Sequence, residues 1–136
     1  GLARILPQLK NRIEQHPNWT LVFGCTPQHD LEIFSQPLID LCHTSPPQNI
    51  VLTKPLHGRY LGVPINALQE LDWPKACELH ACEDTEASYR FLAERRPTFT
   101  IVIGSLYLVG EMYETMGLWG SEYMELFPAK TQRDEA

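Results

Sequence analysis

Apolar positions along this chain switch repeatedly between helical spacing and short unbroken runs. Leu2, Ile5, Leu6, Leu9 and Ile13 recur every three or four residues, which predicts an amphipathic helix over Leu2–Gln15 that stops at His16-Pro17. Pro7 falls inside that pattern and is expected to kink the helix or delay its regular start. The chain enters this helix with no cap, so a fragment of something longer is expected. Thr20–Cys25 is an apolar run of strand length. The polar turn Thr26-Pro27-Gln28-His29-Asp30 follows, with Asp30 placed to cap a helix whose apolar side is Ile33, Phe34, Leu38 and Leu41. Pro37 is expected to end the first half of that helix or bend it. Beyond the loop Thr44–Pro47 come a strand at Ile50–Thr53, a loop over Lys54–Pro64 and a short helix at Ile65–Leu71. A weak strand at Leu79–Cys82 then precedes a helix capped by Asp84 and running through Arg96, with Ala87, Phe91 and Leu92 inward.

The most strongly patterned stretch is Thr98–Glu111. Thr98–Ile103 is β-branched and aromatic, bounded by Pro97 and Gly104, and reads as a buried strand. After Gly104-Ser105 the period changes, with Leu106, Val109, Gly110 and Tyr113 at helical spacing up to a stop at Gly117. The residues from Leu118 to Phe127 are apolar enough to pack back on the domain, and 129–136 read as a frayed tail. Strands alternating with helices imply an α/β fold, a Rossmann-like, mainly parallel sheet flanked by helices, as a single domain over residues 1–128. Ligands of such sheets bind at the carboxyl ends of the strands. Three loops lie there: Cys25–Asp30, Lys54–Pro64 and Gly104–Ser105.

Composition narrows the functional classes. With 43% hydrophobic and 21% charged residues in 136, the chain has ordinary globular content. No apolar run approaches the ~18 residues of a membrane span, and no signal-peptide pattern opens the chain. A net charge of −6 leaves no basic surplus for nucleic-acid phosphates. Cys25, Cys42, Cys77 and Cys82 are irregularly spaced in apolar contexts, which predicts reduced, partly buried thiols and a cytoplasmic or organellar-matrix setting.

Several clusters carry candidate chemistry. Gly104 and Ser105 form a strand-to-helix turn, where Ser105 can cap the helix or join its free N–H groups in holding a carboxylate or phosphate. Gln28, His29 and Asp30 are a capped turn or a polar edge of a binding site. Lys54, His57 and Arg59 form a solvated loop or an anion-contacting one. Cys77, His80 and Cys82, like Cys42-His43, lack the paired ligand spacing of a zinc site, and alternation along a strand separates Cys77 from His80 and Cys82. Neither Gly-x-x-x-x-Gly-Lys-Ser/Thr nor Gly-x-Ser-x-Gly occurs, which argues against a self-contained nucleoside triphosphatase and a nucleophile-elbow hydrolase.

The segment Gly104-Ser105-Leu106-Tyr107-Leu108-Val109-Gly110-Glu111 resembles the signature near the C-terminus of the folylpolyglutamate synthase and dihydrofolate synthase family, in the Mur-ligase superfamily. Leu21–Gly24 with its turn to Asp30, and Ile50–Thr53 with the loop through Arg59 to Pro64, are similar to family strands and loops in the same order. The resemblance implies the C-terminal domain of an ATP-dependent ligase that joins glutamate to a folate or dihydropteroate through an acyl phosphate. It implies ATP and Mg bound mainly by an N-terminal ATPase domain of the same parent chain, no catalytic residue and no metal ligand in this chain, and a monomer, cytoplasmic or in the mitochondrial matrix. It also implies that Ser105, His29, Gln28 and Asp30 face glutamate, that Arg59, Lys54 and Gly104 serve anion or nucleotide contacts, and that this chain alone is inactive. Two features depart from the family pattern. Gln28 and His29 stand where the family has Asp and Lys, and an imidazole is shorter than a lysine and only partly charged near neutrality. The family's Asp-Gly-Ala-His-Asn-Pro segment, which carries the first strand of the sheet, has no counterpart before Leu2. A binding or regulatory module on the same fold is the alternative, and a generic nucleotide-binding α/β domain a third possibility that leaves the signature unexplained.

Overall fold

A computed structural model describes residues 2–55, 62–116 and 124–128. Five strands, β1 (Trp19–Gly24), β2 (Asn49–Leu52), β3 (Glu78–Ala81), β4 (Phe99–Gly104) and β5 (Met124–Pro128), form one sheet in the order β3-β2-β1-β4-β5. Every neighbouring pair is parallel. Helices α1 (Leu2–Gln15), α2 (Leu31–Thr44), α3 (Ile65–Gln69), α4 (Thr85–Arg95) and α5 (Leu106–Met116) fill the connections and flank the sheet. This is the Rossmann-like α/β architecture expected from the alternation of runs.

The pleat explains why the strands are apolar throughout. Alternate residues of a strand point to opposite faces. Trp19, Leu21, Phe23, Ile50, Leu52, Phe99, Ile101 and Ile103 therefore meet Leu9 and Ile13 of α1 and Leu38, Ile39 and Cys42 of α2 on one face. Val22, Val51 and Val102 meet Leu92 of α4 and Leu108 and Met112 of α5 on the other. A strand covered on both faces cannot alternate with polar residues. β3, at the edge, is mostly exposed, in keeping with its weak sequence signal.

Several expectations need correction. Pro37 neither ends nor halves α2, which runs through it. The hydrogen bond it forfeits is to the carbonyl of Ile33, a residue 73% exposed, where water can serve that oxygen. Helix α1 likewise contains Pro7. In α5 the buried stripe is Leu108 and Met112, while Tyr113 is 48% exposed and Gly110 faces open space. The segment after α5 includes a strand, β5, hydrogen-bonded to β4, where the sequence predicts only apolar packing. Helix α4 stops at Arg95, one residue early, because Arg96 precedes Pro97 and caps the helix in the left-handed region (φ 49°, ψ 58°). That conformation costs a non-glycine residue about 1 kcal/mol. The stop at Gly117 and the frayed tail fall outside the described residues.

Candidate functional site

The order of strands reverses between β1 and β4, because β1 leads outward to β2 and β4 leads outward to β5. The crevice beyond the carboxyl ends of such a pair is where open α/β sheets take ligands. The pairing of Gly24 with Gly104 brings the Cys25–Asp30 loop and the Gly104–Ser105 turn to this one place. Backbone packing here is very close. A Cβ on Gly104 would lie within 3.0 Å of the Gly24 carbonyl oxygen, and one on Gly24 within 3.0 Å of the Thr53 carbonyl oxygen. β1 and β4 therefore end on glycine for lack of room beside the Thr53 and Gly24 carbonyls.

Ser105 is fully buried, and its Oγ accepts from the Leu108 N–H at 3.2 Å. The Ser105 carbonyl accepts from Val109 N–H at 3.0 Å, so Ser105 caps α5. Its O–H remains a donor, and the first turn of α5 presents N–H groups that no intrahelical carbonyl can satisfy. Glu111, at the end of the same segment, accepts from the Thr85 hydroxyl at 3.3 Å and ties α5 to α4.

On the β1 side, Gln28 Nε2 donates to the Thr26 carbonyl at 2.8 Å and stiffens the turn. Asp30 Oδ1 accepts from Ile33 N–H at 3.1 Å and caps α2, as its position in the sequence predicts. His29, between them, is exposed with no partner among the described residues. Lys54 is exposed in the same way beyond β2. Arg59 and His57 lie outside the described residues.

Two further groups carry no signal in the sequence. The hydroxyls of Thr26, after β1, and Thr53, after β2, are buried and have no hydrogen-bond partner among the described residues. Leaving a buried hydroxyl unpaired costs about 1–3 kcal/mol. The loops at this edge thus carry helix N–H groups, an exposed imidazole and two buried hydroxyls, a set suited to a polar or anionic ligand.

The thiols are structural. Burial pushes the Cys25 thiol up to about 12 and holds Cys42 above the ordinary thiol range, with Cys77 nearby adding to the latter. Burial also raises Cys77, whose Sγ donates to the Pro47 carbonyl at 3.3 Å. Cys82 is raised by burial, offset by a hydrogen bond with Ser88. Cys77 packs with the α1–α2 side of the sheet and Cys82 with the α4–α5 side, so the sheet itself separates them. Among the described residues no group of three His, Cys, Asp or Glu side chains is arranged to hold a metal ion.

Comparison with known proteins yields no matching family model, curated protein or solved structure.

Proposed function

We propose that this chain is the C-terminal domain of an ATP-dependent folate–glutamate ligase of the folylpolyglutamate or dihydrofolate synthase type, closing over the site and contacting glutamate and nucleotide. The observation that carries the reading is that the resembling segment Gly104–Glu111 is a strand end, a turn and a helix flanking the same crevice as the Gln28–Asp30 turn. Two stretches that the resemblance assigns to one ligand, far apart in sequence, share one edge of the sheet.

On this reading His29 receives a carboxylate of the incoming glutamate. Gln28 and Asp30, held by the Thr26 carbonyl and the Ile33 N–H, fix the turn that presents it. Ser105 adds its O–H and the amides of the first turn of α5, with Gly104 giving the close approach, while Lys54 and Arg59 serve nucleotide or anion contacts. ATP supplies the activating phosphoryl group and, with Mg, belongs to the preceding ATPase domain. The setting is the cytosol or the mitochondrial matrix, where buried thiols stay reduced.

The test is glutamate-dependent ADP release by the longer protein this reading requires, with dihydropteroate and tetrahydrofolate offered separately. Turnover with either supports a ligase. A folded, ATP-binding protein that turns over neither sinks it and favours a non-catalytic binding module, the reading that the altered Gln28-His29-Asp30 turn suggests. In an active enzyme, His29→Ala is expected to raise the KM for glutamate roughly tenfold with little change in kcat, the loss of one charge-assisted hydrogen bond. An unchanged KM removes His29 from the site.

A further inference from the structure

A cavity of about 590 Å³ opens at the other edge of the sheet, where Gln48 and Asn49 enter β2, Glu78 enters β3, and Arg95, Arg96 and Thr98 lead into β4. A six-residue strand such as β1 or β4 is about 20 Å long, so this cavity and the crevice at the carboxyl ends are separate places. We propose that it binds a small organic carboxylate, gripped by Arg96.

The charges in the cavity are not equivalent. Arg95 Nη1 lies 3.4 Å from Glu78 Oε2, and its guanidinium sits over the Phe91 ring, 5.2 Å from the centroid. Glu78 is also 3.2 Å from His80 Nε2. Arg95 is therefore anchored and Glu78 engaged, whereas the Arg96 side chain has no partner among the described residues. Arg96 also occupies the left-handed cap of α4, a position glycine suits best, so the chain keeps a cation where its backbone favours none.

The neighbouring polar groups fit an acceptor with one charge. Thr98 Oγ1 is committed to the Asn18 carbonyl at 3.1 Å, and Asn49 Nδ2 reaches Thr20 Oγ1 at 3.4 Å. The Gln48 side-chain amide is exposed, has no partner among the described residues, and can donate beside Arg96. A guanidinium grips a planar carboxylate through two parallel N–H bonds. Glu78 and the carbonyl end of α4 both oppose a second negative charge, which disfavours a phosphate dianion. Pro97 and Ala76 offer apolar wall to the carbon skeleton, and the volume falls within the range of small-molecule sites.

The test is a ¹H–¹⁵N NMR titration of the chain with sodium benzoate and, separately, with sodium phosphate, at ionic strength matched by sodium chloride. Benzoate is expected to give saturable shifts at the amides of Asn49, Glu78 and Thr98, with phosphate binding more weakly. Arg96→Gly is expected to weaken benzoate at least tenfold while its Tm equals or exceeds that of the parent, because glycine relieves the left-handed cap. Gln48→Ala, an exposed substitution that does not touch the core, is expected to weaken it several-fold. Shifts that fail to saturate, tighter phosphate binding, or parent-like affinity in either variant would overturn the proposal.

Discussion

Two glycines six residues apart, Gly104 and Gly110, should respond to the same substitution with opposite signs. An alanine Cβ at Gly104 would come within 3.0 Å of the Gly24 carbonyl oxygen and 2.5 Å from Leu108 Cδ2. Leu108 can rotate, but the Gly24 carbonyl cannot yield without parting β1 from β4 at the centre of the sheet. Overpacking against movable side chains costs about 1–3 kcal/mol, so a clash with fixed backbone is expected to cost about 3 kcal/mol or more. That is a large share of the 5–15 kcal/mol typical of a domain. Gly110 lies in the middle of α5, and a Cβ there meets nothing within 4 Å. Gly110→Ala should stabilise by about 0.5–1 kcal/mol, the helical cost of glycine. Urea unfolding of both variants measures the difference, about 4 kcal/mol between them, or more than ~1 M in midpoint at common m-values. A Gly104→Ala protein within 1 kcal/mol of the parent, or a destabilised Gly110→Ala, would refute this account of why the segment carries its glycines.

Two other outcomes follow from buried groups. Thr53→Val, which replaces an unpaired buried hydroxyl by a methyl group, should stabilise by about 1–2 kcal/mol in the same unfolding assay, and a loss of stability would mean that the hydroxyl has a partner. The Cys25 thiol, ordinarily near 9.0, is pushed up to about 12, so both folded and unfolded forms stay protonated below pH 9 and its contribution is then fully present. Above pH 9 the unfolded thiol ionises first, and stability should fall by about 1.4 kcal/mol per pH unit until the folded thiol titrates as well. Cys25→Ala should flatten the pH profile by that slope, and an unchanged slope would assign the alkaline loss elsewhere.

What could be read in advance was whatever local sequence decides. The β-branched runs became β1, β2 and β4, each starting one residue away from its expected position, because a strand covered on both faces needs an unbroken apolar run. Asp30 and Asp84 are the caps their positions imply, accepting from Ile33 and Ala87 N–H. β5 escaped because Met124–Pro128 has no β-branched residue and includes Glu125 and Pro128, so its extended form comes from pairing with β4. Spacing alone favoured Tyr113 over Met112 on the inner side of α5, since several phases of a helix fit the same residues until the sheet fixes one. The carboxyl-edge loops were legible from strand–helix alternation, and the structure brings them together, the Lys54–Pro64 loop through Val63 N–H, which donates to the Cys25 carbonyl at 2.8 Å. That the hydroxyls of Thr26 and Thr53 and the guanidinium of Arg96 lack partners among the described residues depends on tertiary neighbours, which no spacing encodes.

Among the described residues the sheet divides the interior into two unequal layers. One holds Trp19, Phe23, Trp73 and Phe99 under α1, α2 and α3; the other sets mainly valines, with Leu92, Leu108 and Met112, under α4 and α5. Fewer buried apolar side chains among the described residues of the second layer mean a smaller free energy for lifting it than for lifting the first. Transient opening should therefore begin with α4 and α5 while β1 and β2 remain paired beneath α2. Because α5 begins at Ser105, each such opening would dismantle the crevice from the β4 side alone, leaving the Cys25–Asp30 turn standing. The half of the crevice that carries Gly104–Glu111 is then the half that opens first, and a ligand bridging both loops would slow amide exchange in α5 far more than in α2.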